Sequence, residues 1–289
     1  MKSVYDFKSI AKSYTDLPGL KQFLARDGEL LSYRFYDSVN SDTVYIFLHG
    51  SSSHGQYLHP LATYFSSSGA GQVYVPNLRG HYASGFKRGD CAYIGQLEDD
   101  IIDLINKMRL HNKQIFLIGH SSGGGLAIRF AGGKHAIPIR GYILFSPIIP
   151  QAGIMRQRTA GGWASLSIVR LLFLSVLNRF GIKWFNHLNV IEFNLPIKYC
   201  DGKETLAYSF NLNVSYHPRL SYEQDFAELG KKFIILVGSE DEANDPNKYL
   251  QIIYVADENL QIIDQAKHLN IVCDPIAMQV ALNWAKNRY

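Results

Sequence analysis

Residues 114–131 read QIFLIGHSSGGGLAIRFA, an apolar run followed by a glycine-rich turn and a second apolar segment. The first part, 114–118, has the composition of a strand buried on both faces, and 126–131 has that of a helix. Between them, Gly119-His120-Ser121-Ser122-Gly123 matches the pattern G-x-S-x-G. Such a turn holds its serine on strained backbone with the hydroxyl exposed, and the crowded chain needs glycine two residues to either side. The sequence therefore predicts a strand, a sharp turn that presents Ser121, and a helix.

Strand and helix patterns alternate on both sides of this turn. Residues 22–25 and 30–36 flank Asp27-Gly28 as the two strands of an antiparallel hairpin do. Further strands are predicted over 43–48, 72–75, 141–145, 232–237 and 260–263, and further helices over 96–110 and 274–287. Repeated strand and helix units predict an α/β fold with a mostly parallel central sheet and helices on both faces.

Residues 147–220 interrupt the alternation, because no clear strand pattern occurs there. We expect a helical lid, or cap, inserted into a core formed by residues 1–146 and 221–289. The apolar residues that recur at helical intervals are Trp163, Leu166, Val169, Phe173, Val176, Leu177 and Phe180. Such a face most often packs on the core. The alternative is contact with acyl chains or a membrane surface, which Arg156, Arg158, Arg170 and Arg179 support.

A serine hydroxyl is a poor nucleophile at neutral pH, so it needs a base, and the base needs an orienting acid. Enzymes with the G-x-S-x-G turn carry these groups in the chain order Ser, Asp or Glu, His. Here Gly238-Ser239-Glu240-Asp241-Glu242 follows the predicted strand 232–237, and His268 follows the strand 260–263. We therefore predict Asp241 as the acid and His268 as the base. Glu240, Glu242 and Asp245 are competing acids.

Acyl transfer to Ser121 would place negative charge on the former carbonyl oxygen. Backbone N–H groups that point at this oxygen contribute about 3–4 kcal/mol each. We predict two donors: the N–H of Ser122, and the N–H of Ser51 in the loop His49-Gly50-Ser51-Ser52-Ser53-His54. The alternative is a plain Gly/Ser loop without a catalytic role.

The same loop carries a family resemblance. Residues 49–54, with Tyr57 and Leu61-Ala62 after them, resemble the HG-x-x-x-H…Y…LA segment of the monoglyceride lipase, lysophospholipase and serine-aminopeptidase-like α/β hydrolases. Residues 78–85 are similar to the RGHGxS stretch of that group. The resemblance implies the α/β-hydrolase fold and a catalytic triad of Ser121, Asp241 and His268. The Gly-x-x-Asp spacing at Asp241 also resembles the hydrolase pattern.

The sequence departs from the family pattern at two positions. Asn77 stands where the family usually has Asp, and Tyr82 where it has Gly. Neither change removes a predicted catalytic group, so the departures concern substrate details. We interpret Arg79 and His81 as structural residues, because the triad is complete without them.

Composition excludes several other classes of protein. The 289 residues are 47% hydrophobic and 19% charged, which is ordinary for a folded enzyme. The net charge of +4 comes without a basic run, so we expect no nucleic-acid partner. His49, His54 and His59 recur every five residues without an acid cluster, which does not suit zinc. No P-loop or dinucleotide fingerprint follows a strand, so we expect no cofactor and no metal.

Cellular location is predicted from three further features. Residues 1–16 lack the apolar run of a secretory signal. Arg170 interrupts the most apolar segment, 163–180, which argues against a membrane span. Cys91, Cys200 and Cys273 are odd in number and widely spaced, as in reduced proteins. We expect a cytoplasmic protein.

Taken together, the sequence predicts a carboxylesterase or lipase-like serine hydrolase. Its substrates would be lipid-like or other apolar acyl esters, cleaved through an acyl-enzyme. Two alternatives stay open. One is amide or peptide hydrolysis by the same residues, as in the aminopeptidase-like relatives. The other is a non-catalytic protein that binds a small hydrophobic ligand.

Overall fold

An eight-stranded sheet forms the centre of the protein in the computed structural model, which describes residues 5–155, 163–252 and 254–288. The strands are β1 (Lys21–Leu24), β2 (Leu30–Tyr36), β3 (Thr43–Leu48), β4 (Gln72–Pro76), β5 (Gln114–His120), β6 (Gly141–Phe145), β10 (Phe233–Gly238) and β11 (Leu260–Ile263). They lie in the order β1-β2-β4-β3-β5-β6-β10-β11. The six strands from β4 to β11 in this order pair in parallel, and β1 and β2 are antiparallel at one edge.

Helices cover both faces of the sheet. They are α1 (His59–Ser67), α2 (Gln96–Lys107), α3 (Ser122–Ala131), α6 (Tyr222–Leu229) and α7 (Pro275–Lys286). Apolar residues of α2, α3 and α6 belong to the core on one face, and those of α1 and α7 to the core on the other. Every residue of β3, β6 and β10 is buried, which explains why these strands are continuous apolar runs. The predicted α/β architecture is confirmed.

The turn between β5 and α3 is closed by backbone contacts that only glycine permits. Ser121 has a φ of 56°, a left-handed conformation that costs a side-chain-bearing residue about 1–3 kcal/mol. A Cβ at Gly119 would lie 2.3 Å from the carbonyl oxygen of Gly123, and one at Gly123 would lie 2.1 Å from that of Leu48. The surrounding chain therefore holds Ser121 at the carboxyl end of β5, above the sheet.

The segment that we expected to be a helical insertion also contains strands. Residues 147–220 contain a second, antiparallel sheet of β7 (Ala164–Leu166), β8 (Asn189–Phe193) and β9 (Ala207–Ser209). Two helices accompany it, α4 (Ile168–Arg179) and α5 (Phe210–Ser215). The expectation of an insertion without strands was wrong because these strands are only three to five residues long and partly exposed. Such strands leave no apolar run in the sequence.

Helix α4 also corrects the expected packing of the apolar face. Val169, Phe173, Val176 and Phe180 are exposed, and Leu174 on the other side of the helix is buried. Most of the predicted face therefore does not pack on the core. Arg156 and Arg158 lie outside the described residues, and Arg170 and Arg179 lie on α4 itself. Within residues 5–155, 163–252 and 254–288, no helix combines the length and apolar character needed to cross a bilayer.

The close contact at Gly119 makes the turn sensitive to a single methyl group. We expect Gly119→Ala to lower the free energy of unfolding by about 3 kcal/mol, because the added Cβ meets backbone that cannot move aside. Gly19→Ala is the matched control, since a Cβ there has no neighbour within 4 Å, and it should change stability by less than about 0.5 kcal/mol. Urea denaturation of both variants measures the difference. Equal stabilities would show that the turn is not tightly packed.

Candidate active site

Ser121, His268 and Asp241 lie in one hydrogen-bonded row at the carboxyl edge of the sheet. The Oγ of Ser121 is 2.9 Å from the Nε2 of His268. The Nδ1 of His268 is 3.1 Å from both carboxylate oxygens of Asp241. Because a carboxylate only accepts hydrogen bonds, Nδ1 carries the proton and Nε2 is free to accept the hydroxyl proton of Ser121. The structure thus brings together the three residues that the sequence analysis predicted.

Asp241 and His268 lie in two neighbouring loops. Asp241 follows β10 and His268 follows β11, and these neighbouring parallel strands end at the same edge. The loops touch at Gly238, where a Cβ would lie 2.0 Å from the carbonyl oxygen of Ala266. The Oδ1 of Asp241 also accepts the N–H groups of Ala243 and Asn244, both at 2.8 Å. These bonds fix the carboxylate against the imidazole.

The competing acids have other partners. The carboxylate of Glu242 accepts the backbone N–H of His268 at 2.7 Å and that of Asp6 at 3.4 Å. Asp245 caps the 3-10 helix Pro246–Gln251, and Glu240 is exposed. Asp241 is therefore the acid that faces the imidazole, and Glu242 supports the same histidine through its backbone.

Burial and charge act in opposite directions on this pair. Burial lowers the pKa of His268, but the charge and hydrogen bond of Asp241, with a smaller contribution from Glu242, more than offset it, so the pKa lies above the usual 6.5. Burial raises the pKa of Asp241, but His268 and the N–H of Asn244 bring it below 3.8. The carboxylate is therefore ionised at neutral pH and favours the imidazolium form.

The predicted oxyanion donors lie directly beside Ser121. A Cβ on Gly50 would be 3.1 Å from the Cβ of Ser121, which places the loop 49–54 over the turn. The side chains of Ser51 and Ser122 meet with their Oγ atoms 2.6 Å apart. Among the described residues, the N–H groups of Ser51 and Ser122 donate to no protein acceptor. Ser122 is also the first residue of α3, where the helix dipole favours negative charge.

Arg79, which we interpreted as a structural residue, and Asn77, one of the departures from the family pattern, both have structural contacts. The guanidinium of Arg79 is buried between the carboxylates of Asp27 and Asp100, at 3.0 and 2.8 Å. Asn77 accepts the N–H of Gly55 at 2.8 Å and donates to the Oγ of Ser32 at 3.0 Å. An aspartate could accept but not donate here, which gives the asparagine at this family position a physical reason.

A cavity of about 440 Å³ opens onto Ser121 and His268. Its apolar wall comes from the core, the insertion and the N-terminal segment, and includes Phe7, Ile148, Met155, Trp163, Leu171, Ile191, Phe193 and Leu195. The lining also includes the polar side chains of Lys12, His54, Asp201, Lys203 and Glu204. The site can therefore hold a ligand with one apolar and one polar part.

Sequence reasoning missed the N-terminal part of this wall. The ring of Tyr5 meets that of His268 edge to face with centroids 5.6 Å apart. The ring of Trp163 packs in a tilted arrangement against those of Tyr5 and Phe7, with centroids 5.7 and 5.0 Å apart. The only signal in the sequence was a set of single apolar residues between charges, a pattern that does not separate a cavity wall from an exposed tail.

The chain matches a known protein family over about half of its length. Residues 40–189, which are 150 of the 289 residues, match the family model described as serine aminopeptidase, S33. The chain belongs to this family. It is thus an α/β hydrolase of the monoglyceride lipase and serine-aminopeptidase-like group, as its motifs indicated. A search of curated proteins found no match.

Solved structures with the same fold include lipases and esterases. A soluble variant of monoglyceride lipase from Saccharomyces cerevisiae, in complex with a substrate analog, is 18% identical with a TM-score of 0.69; the match covers 100% of this chain and 99% of that one. Monoacylglycerol lipase from Paleococcus ferrophilus is 19% identical with a TM-score of 0.64, covering 90% and 99%. A thermophilic esterase from Thermogutta terrifontis is 18% identical with a TM-score of 0.58, covering 93% and 98%. At these identities the likeness extends to the α/β-hydrolase fold.

The charge and hydrogen bond of Asp241 are the main causes that raise the pKa of His268 above 6.5. We expect Asp241→Asn to lower that pKa, because burial, which disfavours the imidazolium, then acts without the opposing carboxylate. The acid limb of any activity that needs the neutral imidazole would move to lower pH. An NMR titration of His268 measures the shift, and Glu240→Gln, an exposed neighbour in the same loop, is the control. An unchanged pKa in Asp241→Asn would contradict the assigned electrostatics.

Proposed function

We propose that this protein is a serine hydrolase that cleaves carboxylic esters with an apolar acyl group through an acyl-enzyme. The row of hydrogen bonds from Ser121 through His268 to Asp241 carries the proposal, since it supplies a nucleophile, a base and an orienting acid in contact. The two N–H groups beside Ser121 supply the oxyanion donors. The esterases and lipases among the similar structures agree with this chemistry.

The reaction follows from the positions of these groups. His268 Nε2 takes the Oγ proton of Ser121 as Oγ attacks the carbonyl carbon, and the N–H groups of Ser51 and Ser122 receive the charge on the carbonyl oxygen. The imidazolium, stabilised by Asp241, then protonates the leaving alcohol as the ester C–O bond breaks. Water attacks the acyl-enzyme with His268 again as base, and the acid and free Ser121 are released.

The cavity supports an apolar acyl group. Its aromatic and aliphatic lining residues suit an apolar acyl group, and its polar lining residues suit the alcohol part of an ester. The yeast monoglyceride lipase of the same fold was solved with a substrate analog. We therefore place lipid-like esters of small polar alcohols first among the substrates.

We also propose that the chain divides into a hydrolase core of residues 1–146 and 221–289 and a cap of residues 147–220. The cap contributes Trp163, Leu171, Ile191 and Phe193 to the cavity wall, so it covers the acyl part of the site. Tyr5 and Phe7 of the core reach the same wall. The cap is therefore expected to govern which acyl chains fit.

Helix α4 supports transient contact with a lipid surface. Val169, Phe173, Val176 and Phe180 follow one another at intervals of three or four residues and are 84%, 59%, 54% and 75% exposed. Arg170 and Arg179 lie on the same helix. Leu171 of α4 lines the cavity, so the helix that would meet the lipid also borders the site.

Amide hydrolysis is the second candidate, because the family description names a serine aminopeptidase. An aminopeptidase must bind a free ammonium group near the nucleophile, which calls for an unpaired acid. Asp201 is paired with Lys203, the carboxylate of Glu204 accepts the N–H groups of Asp201 and Gly202, and Glu242 accepts two backbone N–H groups. Parallel assays on acyl esters and aminoacyl amides decide between the candidates.

Ser121→Ala tests the proposed nucleophile. We expect turnover of p-nitrophenyl butyrate to fall by about 10⁴-fold or more, with an unchanged melting temperature, because the acyl-enzyme cannot form. A fluorophosphonate probe should label the wild-type protein and not the variant. Ser68→Ala, at the exposed end of α1, is the matched control and should retain both properties. Retained turnover in Ser121→Ala, or no labelling of the wild type, would refute the proposed reaction.

Charges on the outer face of α4 test the lipid contact. We expect the double variant Val169→Asp, Phe173→Asp to bind phosphatidylcholine and phosphatidylglycerol vesicles at least about tenfold more weakly, since each apolar side chain contributes about 1.5–3 kcal/mol when buried. Hydrolysis of a short soluble ester should be unchanged. The control is the double variant Val39→Asp, Phe86→Asp, which changes two exposed apolar residues outside the cap. Equal loss of binding in both double variants would contradict a specific role of α4.

A further inference from the structure

Three consecutive backbone N–H groups, those of Gly50, Ser51 and Ser52, pass over the turn that carries Ser121. The N–H of Gly50 donates to the hydroxyl of Tyr57 at 2.7 Å. The N–H of Ser52 donates to the hydroxyl of Tyr208 at 2.6 Å. Within the described part of the chain, the N–H of Ser51 between them has no protein acceptor. Two tyrosines therefore hold the peptide groups on both sides of the proposed oxyanion donor.

The first tyrosine is itself held by a buried imidazole. The Nε2 of His120 is 2.8 Å from the carbonyl oxygen of His268, so Nε2 carries the proton and donates it. Its Nδ1 must then accept, and the hydroxyl of Tyr57 donates to it at 2.8 Å. A single chain of hydrogen bonds thus joins the loop at Gly50 to the backbone of the proposed base.

The second tyrosine has the same arrangement on the other side. The Nδ1 of His81 lies 3.2 and 3.1 Å from the carbonyl oxygens of Leu78 and Arg79, so Nδ1 donates. Its Nε2 therefore accepts the hydroxyl proton of Tyr208 at 2.6 Å. The hydroxyl oxygen of Tyr208 is left to accept the N–H of Ser52.

Both imidazoles keep these roles at neutral pH. Burial lowers the pKa of His120 to about 3 and that of His81 to about 4. A protonated ring would donate from both nitrogens and could not accept the tyrosine proton. Each tyrosine hydroxyl therefore has one fixed orientation throughout the pH range in which a neutral His268 could act as base.

The loop needs such support at Ser52. Its φ of 64° is left-handed, which costs a residue with a side chain about 1–3 kcal/mol unless neighbours hold it. The hydroxyl of Tyr208 on β9 accepts the N–H of Ser52, and the N–H of Thr205 donates to the carbonyl oxygen of Ser52 at 2.9 Å. Both partners belong to the insertion, whereas Tyr57 belongs to the core.

We propose that Tyr57 and Tyr208 are positioning residues that aim the N–H of Ser51 at the developing oxyanion, one from the core and one from the insertion. The inference rests on the proposed function, in which that N–H is an oxyanion donor. The hydroxyl groups of the tyrosines bond to the peptide groups that flank Ser51, and that of Tyr208 also interacts with the Ser51 side chain. Their contribution should therefore appear in the transition state and not in substrate binding.

The test compares Tyr57→Phe and Tyr208→Phe with Tyr36→Phe. Tyr36 also pairs its hydroxyl with a buried histidine, His59, at 3.0 Å, and accepts no N–H from the loop, so it is a matched control. The measurements are kcat and KM for p-nitrophenyl butyrate and Ki for an alkyl trifluoromethyl ketone, which forms a tetrahedral adduct with the serine. Melting temperatures of all variants are recorded beside them.

Each loop variant should lose about 10- to 100-fold in kcat, less than the loss of a whole oxyanion donor, with KM changed by less than about threefold. The Ki of the ketone should rise by the same factor as kcat/KM falls. Tyr36→Phe should leave both values unchanged. The two tyrosines lie on separate elements, so either folded variant suffices.

A rise in KM with kcat retained, or an unchanged Ki in a folded loop variant, would overturn the inference while leaving the proposed function intact. The same holds if Tyr36→Phe loses as much kcat as the loop variants. Failure of the proposed function looks different, because the wild-type protein would then not be labelled at Ser121 by the fluorophosphonate. In that case the positioning role of the two tyrosines would be refuted together with the proposed function.

Discussion

The site depends on a place where the backbone packs against itself without room for a side chain. Gly119 and Gly123 touch across the turn, and Gly123 touches the end of β3 at Leu48. This contact forces Ser121 into a left-handed conformation and directs α3 back along the sheet. The same contact brings the loop after β3 beside the nucleophile, so the turn and the proposed oxyanion donors are set by one packing constraint. Asp241 and His268 follow two neighbouring parallel strands, so both lie at the same edge of the sheet as Ser121.

Most buried polar groups at this edge have a hydrogen-bond partner. Asp241 accepts from His268 and from two backbone N–H groups, Tyr57 accepts from Gly50, and Tyr208 accepts from Ser52. Burial in a low-dielectric site makes an unpaired group costly, and this cost keeps the network in a single arrangement. The N–H groups of Ser51 and Ser122 are without a protein acceptor, which is the condition for binding a negative charge that develops during a reaction.

The fold could be predicted wherever burial on both faces left an apolar run. Strands β3 and β6, in which every residue is buried, begin and end at the residues that the sequence indicated. Helix α3 begins at Ser122, earlier than the apolar segment 126–131 suggested, because Gly124 and Gly125 are helical through contacts with Pro147 and Ile148 and not through intrinsic preference. The strands of the insertion were missed because short, half-exposed strands have no periodic signal. The G-x-S-x-G motif selected Ser121, the chain order selected His268, and the Gly-x-x-Asp spacing favoured Asp241 over its neighbouring acids. Tyr5 and Tyr208 join the site through tertiary contacts that no local pattern records. Tyr57 and His120 stand in the recognised motifs, but the motifs do not show that these two side chains bond to each other.

The central claim is that Ser121 attacks a carbonyl whose oxygen then lies between the N–H groups of Ser51 and Ser122. A crystal structure of the protein after reaction with a p-nitrophenyl alkylphosphonate measures this directly, because the adduct resembles the tetrahedral intermediate. The account predicts a bond from phosphorus to the Oγ of Ser121 and a phosphonyl oxygen within about 3 Å of both nitrogens. An adduct on another residue, or a phosphonyl oxygen turned away from Ser51 and Ser122, would contradict it.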